Sequence, residues 1–187
     1  MGFIMKSLIT LLAIFTSIIL TPPLSATEDS LKTLSRLFVY NSEGKTLLIK
    51  VKEGFWVTPA VHNKSADLMR PALDKLAASF GLNISAPELK GMFFVKYDFP
   101  KNQGLYNRIF FRVEHTGNNQ VTLPESIVDY HWVSEEEALE LLSFPHITEA
   151  YRQIIAQPEH IWAGSFRFYL EGGKRKSEQV EDFYSIR

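Results

Sequence analysis

Cysteine is absent from the 187-residue chain. Disulfide scaffolds, cysteine nucleophiles and zinc–thiolate sites are therefore excluded, and the fold must be held together by its hydrophobic core. An excess of positive charge is also lacking, because 20 Lys and Arg residues stand against 21 Asp and Glu residues, a formal net charge of −1. A nucleic-acid-binding domain normally carries a basic stripe, so we predict no nucleic-acid partner.

The material for a core is present in quantity. Apolar residues make up 45% of the chain and charged residues 22%, with 14 Phe, 7 Tyr and 3 Trp. This composition is typical of a globular protein, and the chain length favours one domain. We therefore expect a core that needs neither a metal nor a disulfide for stability.

Residues 1–26 have the pattern of a secretory signal peptide. Lys6 is followed by an uncharged run over 7–21 and by the small-residue exit Ser25-Ala26. We predict cleavage after Ala26, which makes the protein exported, either periplasmic or secreted, with no stable membrane span. The alternative is an uncleaved membrane anchor, although the apolar run is short for a full span.

Three short extended segments come next. The β-rich runs 36–41 and 45–51 are separated by turn residues, and they predict a hairpin with Gly44 in the left-handed conformation. A third extended piece covers 53–61, and Pro59 marks its end. Together these segments predict the start of a β-sheet.

A helix is predicted after them. Its apolar residues recur at three- and four-residue spacing and form one stripe, made of Met69, Ala72, Leu73, Leu76, Ala77 and Phe80. Pro71 is tolerated only in the first turn of a helix, so the regular helix is expected to begin near Met69 or Arg70. Gly81 stands where a C-terminal glycine ends a helix.

The second half of the chain carries further strands and helices. The predicted segments are strands at 88–99 and 106–116 joined by a loop, a strand at 129–134, helices from Ser134 and over 147–157, and a hairpin over 164–186 around Gly172-Gly173. Ser134 and Glu137 have the spacing of a capping box. We therefore predict an α/β (α+β) fold for 27–187, a single domain in which helices flank a mixed β-sheet, with a C-terminal β-hairpin extension.

The order and spacing of these segments resemble the Nudix hydrolase superfamily over residues 36–142. The matching pieces are "EGKTLLIKV", Trp56, the turn "TPAV", the helix ending "FGL" and the segment "HWVSEEEALELL". The resemblance implies a Nudix-like α/β/α sandwich. It also implies hydrolysis of a diphosphate linkage with Mg²⁺, which the helix glutamates of the family hold.

The acids that the family motif requires are missing from this helix. When Gly81-Leu82 is aligned with the end of the motif, its catalytic positions fall on Ala66, Asp74, Lys75, Ala78 and Ser79. A lysine in place of a carboxylate puts a positive charge where the metal would bind, which costs about 4 kcal/mol at a separation near 4 Å and a dielectric constant near 20. We therefore expect no metal site, and Mg²⁺ only if the protein is active.

Five residues are candidates for ligand binding. His62 lies on the loop that would face a Nudix pocket, and Arg70 and Lys75 have the charge to contact a phosphate directly. Glu125 and Asp129 lie near the region where many family members carry a further acid. For Arg70 and Lys75 the alternative is that they form the solvated face of an amphipathic helix.

Three functions remain open at this point. Our prediction is an exported Nudix-fold pseudoenzyme, which binds a small phosphate-containing ligand or a protein partner without hydrolysing it, because the helix acids are missing. The first alternative is an active Nudix-type hydrolase of nucleoside diphosphate-linked or other diphosphate compounds, with non-standard metal ligands. The second alternative is a pure interaction or scaffold protein of the cell envelope.

Overall fold

The computed structural model describes residues 32–63 and 68–187. The predicted signal peptide, 1–26, and the motif position Ala66 lie outside the described residues. Nine strands of the described part form one sheet: β1 (Lys32–Tyr40), β2 (Thr46–Val51), β3 (Trp56–Val57), β4 (Ala60–Asn63), β5 (Glu88–Phe99), β6 (Asn102–Glu114), β7 (Ile127–Val133), β8 (Trp162–Glu171) and β9 (Lys174–Ser185). The helices are α1 (Met69–Ser79), α2 (Glu135–Leu141) and α3 (Pro145–Ala156).

The sheet is mixed, as predicted. Its strand order is β3-β2-β1-β6-β5-β8-β9, with β4 paired to β1 and β7 paired to β2. The pairs β1–β6 and β5–β8 are parallel, and the other pairs are antiparallel. Residues 32–35, which precede the predicted run 36–41, also belong to β1, because its parallel pairing with β6 extends from Lys32 to Tyr40.

The predicted extended piece 53–61 divides into two strands at Pro59. β3 pairs with β2, whereas β4 pairs with β1. The carbonyl of Pro59 accepts a hydrogen bond of 2.9 Å from the Leu37 N–H, but proline has no N–H with which to continue a ladder. The chain therefore changes its strand partner at this residue.

The loop expected between the strands at 88–99 and 106–116 is much shorter in the structure. Phe99 of β5 is paired with Asn102 of β6, so Pro100 and Lys101 alone form the turn. Gly104, paired with Tyr97, has a φ of 148°. The turn-like composition of this segment hid a strand, because glycine adopts such a backbone conformation without strain inside a ladder.

Helices cover both faces of the sheet and make three layers. On β1, alternate side chains point to opposite faces. Leu37 and Val39 pack in one cluster with Leu73 of α1, whereas Phe38 packs in the other cluster with Tyr151 of α3. This arrangement confirms the predicted α/β/α sandwich.

The C-terminal end of α1 follows its sequence signal. Gly81 has a φ of 70°, its N–H donates to the Ala78 carbonyl, and the Leu82 N–H donates to the Ala77 carbonyl, both at 3.0 Å. These two bonds form a Schellman motif, which ends α1.

No helix within 32–63 and 68–187 is long and apolar enough to cross a membrane.

Candidate functional site

The outward surface of α1 holds the described positions that the Nudix resemblance assigns to metal binding. Lys75, Ala78 and Ser79 are exposed there. The Ser79 hydroxyl donates a hydrogen bond of 2.7 Å to the Leu76 carbonyl one turn earlier. Its polar group is therefore used inside the helix.

Asp74, the one carboxylate of α1, is already paired. Arg70 Nε lies 2.8 Å from Asp74 Oδ1 and 2.9 Å from Oδ2. Magnesium requires several oxygen ligands in near-octahedral geometry, and the described ranges contain no group of three or more His, Asp or Glu side chains that could hold a metal. The residues present at this helix do not fit a magnesium site.

Glu125 and Asp129 both lie near β2, but they contact different residues. Glu125 is exposed, and its Oε1 is 3.3 Å from Lys52 Nζ. Asp129 is opposite Lys50 in the β2–β7 ladder, with its Oδ2 3.7 Å from His131 Nε2. The structure therefore does not assemble these two carboxylates into a cluster, and their role as ligands stays a prediction.

A cleft of about 720 Å³ opens on the sheet face opposite α1. Strands β5, β6 and β8 form its floor, and the residue before α3 and the β8–β9 turn lie at its sides. Five of its lining residues are aromatic: Tyr97, Phe99, Tyr106, Phe144 and Phe168. Its volume lies in the range of small-molecule sites.

The aromatic rings of this cleft hold one another in place. The Tyr97 ring lies 4.3 Å from the Tyr106 ring and 5.3 Å from the Phe168 ring, centroid to centroid. The Phe99 ring lies 5.0 Å from the Phe168 ring. Each of these three pairs is T-shaped, a favourable arrangement that fixes the ring positions.

Arg108 brings a charge into this aromatic wall. The residue is only 7% exposed. Its Nη2 donates a hydrogen bond of 2.6 Å to the Tyr97 hydroxyl, and the guanidinium carbon lies 5.2 Å from the centroid of the Tyr106 ring. Nη1 is buried without an acceptor among the described residues. Arg108 is thus a buried cation with spare hydrogen-bonding capacity.

A second buried arginine lies on the neighbouring strand. Arg36 of β1 is also 7% exposed, and its Nη1 donates to the Thr58 carbonyl at 2.8 Å and to Thr58 Oγ1 at 3.2 Å. Its Nε is buried without an acceptor in the described part of the chain. Burial, and then the charge of Arg108, lower the pKa of Arg36 to about 9. This buried pair of cations is called the Arg36–Arg108 pair below.

Two histidines lie within the field of the Arg36–Arg108 pair. His62 lines the cleft, and partial burial followed by the charges of the two arginines lowers its pKa. Burial, and then the same two charges, lower the pKa of His146 to about 3. His146 is therefore neutral near pH 7. Arg108 and Arg175 bring positive charge to the cleft lining.

His62 alone among the five predicted binding residues lines the cleft. Arg36 and Arg108 were missed by the sequence analysis. A signal existed, because each arginine lies two residues from a core phenylalanine, Phe38 or Phe110, on the same strand. The two-residue alternation of a strand places each arginine on the same buried face as its phenylalanine.

Solved structures similar to this chain are Nudix hydrolases and MutT proteins. The mutator MutT protein from Bacillus halodurans is 17% identical, with 83% of this chain and 98% of that chain covered and a TM-score of 0.61. A Nudix hydrolase from Nitrosomonas europaea is 14% identical, with 72% and 79% covered and a TM-score of 0.55. An Ap4A hydrolase from C. elegans, described as a binary complex, is 15% identical, with 69% and 98% covered and a TM-score of 0.53.

These likenesses establish the class of fold. The chain has the fold of the Nudix hydrolases, which confirms the fold that the sequence resemblance predicts. No protein-family model and no curated protein sequence matches the chain.

Proposed function

We propose that this protein is a Nudix-fold pseudoenzyme, which binds an anionic small molecule in the aromatic cleft and does not hydrolyse it. The observation that carries the proposal is the pairing of Arg70 with Asp74 on α1, at 2.8 Å, beside the exposed Lys75. This surface offers cations at the place where the family chemistry needs carboxylates. Phosphate hydrolysis by two-metal or one-metal chemistry requires those carboxylates to position the ion.

The cleft supports binding as the remaining role of the fold. It is an open cleft lined by aromatic side chains, and it carries Arg108 and His62. Such a concave site with a few polar groups favours a small-molecule ligand over a pure scaffold role. A metal-independent contact with phosphate is within the ordinary chemistry of arginine.

An active hydrolase is the second candidate, because the fold is shared with an Ap4A hydrolase. It would need metal ligands from outside α1. Glu125 and Asp129 remain the predicted sources, although Glu125 is paired with Lys52. If the protein is active, we expect Mg²⁺ to be required.

Export is part of the proposal and is supported by the sequence pattern of residues 1–26. The measurement is fractionation of the cells followed by N-terminal sequencing of the recovered protein. We expect a periplasmic or secreted product that begins at Thr27. A product that retains Lys6 and sediments with membranes would show an uncleaved anchor instead.

Catalysis is tested by incubating the purified protein with ADP-ribose and with Ap4A, with and without Mg²⁺, and following both compounds by ³¹P NMR. We expect no new phosphorus resonance. Calorimetric titration of the same compounds should give heat of binding in the presence of EDTA. Release of a nucleoside monophosphate that requires Mg²⁺ would overturn the proposal in favour of the hydrolase.

A further inference from the structure

We propose that the cleft recognises an organic oxyanion, in which a carboxylate or phosphate group binds at Arg108, beside the buried Arg36, and an attached flat ring packs against the aromatic wall. This inference rests on the proposed binding function, and it specifies the chemistry of the ligand. Its support comes from three observations on the cleft side of the sheet: the buried arginines lack counter-ions, buried nitrogen atoms lack hydrogen-bond partners, and aromatic side chains line the cleft.

Counter-ions are distributed in an unusual way among the arginines of the described chain. Four of the six other described arginines, all exposed or half-buried, each have a carboxylate within ion-pair distance: Arg70, Arg112, Arg152 and Arg167. The two most buried arginines, Arg36 and Arg108, have no Asp or Glu partner within residues 32–63 and 68–187. Burial of a charge without a partner is unfavourable, so buried arginines are normally paired with a carboxylate, whereas exposed arginines can be solvated by water. An anion from outside the chain would supply the missing charge.

Unpartnered nitrogen atoms occur on the same side of the sheet. Arg36 Nε, Arg108 Nη1 and His146 Nδ1 are buried without a hydrogen-bond partner among the described residues. Buried polar groups are nearly always satisfied in folded proteins, so a group of them needs an explanation. A carboxylate or phosphate has several acceptor oxygens and forms strong, charge-assisted bonds with guanidinium groups.

The aromatic wall defines the rest of the ligand. Tyr97, Tyr106 and Phe168 form T-shaped pairs with centroid distances of 4.3 and 5.3 Å. At the opposite side, Arg175 of the β8–β9 hairpin lines the cleft, with its guanidinium carbon 4.8 Å from the Phe55 centroid. Flat rings pack well against such a wall, and a volume of about 720 Å³ admits a ring together with its anionic group.

The chemistry is tested with four probes titrated calorimetrically into the purified wild-type protein: phenyl phosphate, benzoate, inorganic phosphate and benzyl alcohol. We expect the ring-bearing anion to bind about tenfold or more tightly than both the neutral alcohol and the ring-free phosphate. Tighter binding of phenyl phosphate than of benzoate assigns a phosphate, and the opposite order assigns a carboxylate. Equal affinity for benzyl alcohol, or no binding of either aromatic anion, overturns the inference.

The role of the buried cation is tested with Arg108→Gln against a matched control, Arg112→Gln. Both residues lie on β6 and point to the same face, but Arg112 has Glu114 as its partner at 2.9 Å. We expect Arg108→Gln to weaken binding of the aromatic anion about tenfold or more, while Arg112→Gln stays within about twofold of wild type. Equal losses in both variants contradict the inference.

Circular dichroism establishes that each variant is folded before titration. If Arg108→Gln does not fold, the comparison of charged and neutral probes on the wild-type protein still decides the question. The two proposals fail in different ways. Turnover of ADP-ribose with Mg²⁺ ends the proposed function. Binding of ADP-ribose or Ap4A without turnover, together with no preference for phenyl phosphate over benzyl alcohol, ends this inference and leaves the proposed function standing.

Discussion

The outer surface of α1 and the buried arginines on the cleft side of the sheet differ in how their polar groups are paired. On the α1 face, Arg70 is paired with Asp74, and the Ser79 hydroxyl is bonded to a carbonyl of its own helix. On the other face, Arg36 and Arg108 are buried and each keeps a nitrogen without an acceptor among the described residues. Polar groups that already have hydrogen-bond partners contribute little free energy to ligand binding, whereas buried donors without partners contribute much more when a ligand pairs with them. This difference supports the proposal that a ligand binds in the cleft and that α1 has a structural role.

The structural role of α1 gives the largest expected effect. Leu73 is 1% exposed and packs in the core cluster below α1, so Leu73→Ala should lower the free energy of unfolding by about 2–5 kcal/mol. Urea denaturation measures the change, with the exposed Lys75→Ala as control, expected within about 0.5 kcal/mol of wild type. A small loss at Leu73 would mean that α1 is not needed for the core.

Stability should depend on pH because of His146, which is buried on the cleft side of the sheet. The folded pKa of His146 is about 3, below the unfolded value of about 6.5. Between these two pH values the unfolded state binds more protons than the folded state. The contribution of neutral His146 to the free energy of unfolding is therefore complete above pH ~6.5 and declines as the pH falls towards ~3.

A variant isolates the effect of His146. On going from pH 7 to pH 4.5, the wild-type protein should lose about 2–3 kcal/mol more stability than His146→Phe, which keeps an aromatic ring but cannot titrate. Urea denaturation at the two pH values provides the measurement. Parallel losses in both proteins would show that His146 is not held neutral.

The surroundings of Gly81 at the end of α1 are tested by comparison with Gly44, which has a similar backbone conformation but open space around it. Gly44 and Gly81 have φ values of 73° and 70°, but a Cβ atom would meet nothing within 4 Å at Gly44 and would lie 2.9 Å from Thr122 Oγ1 at Gly81. Backbone strain should lower the free energy of unfolding of both alanine variants by about 1–2 kcal/mol. The free energy of unfolding of Gly81→Ala should fall by about 1 kcal/mol more, because Thr122 must shift. Equal thermal stabilities of the two variants would contradict this account.

The smallest effect is expected at the position where the family motif has an acid. Lys75→Glu should leave the affinity for phenyl phosphate within about twofold of wild type, because Lys75 is exposed on the face opposite the cleft. It should also produce no Mg²⁺-dependent hydrolysis, since one added carboxylate does not complete an octahedral site. Calorimetry and a phosphate-release assay measure the two quantities, and a large change in either would return function to α1.

The elements of the fold could be predicted because their signals are local. Gly44 and Gly81 adopt the left-handed conformation that turns and helix ends require, and the Ser134 hydroxyl accepts a hydrogen bond of 3.2 Å from the Glu137 N–H as a capping box predicts. Boundaries that depend on strand partners were less accurate. The start of β1 depends on β6, and the division at Pro59 depends on a change of partner.

The cleft could not be predicted from the same signals. The role proposed for Arg36 and Arg108 depends on the parallel pairing of β1 with β6, which brings them together although they are far apart in sequence. It also arises from the lack of a carboxylate near them in the described chain, which no sequence pattern reveals. The predicted signal peptide and the predicted roles of Glu125 and Asp129 stay predictions.

The most direct test of the account is to locate the bound ligand. Amide chemical-shift changes are followed by NMR while phenyl phosphate is added to isotope-labelled protein, first in EDTA and then with Mg²⁺. The account predicts that the largest changes fall in Tyr97–Arg108 and Phe168–Arg175 and are the same without the metal. Changes concentrated in Met69–Leu82 that appear only with Mg²⁺ would contradict it.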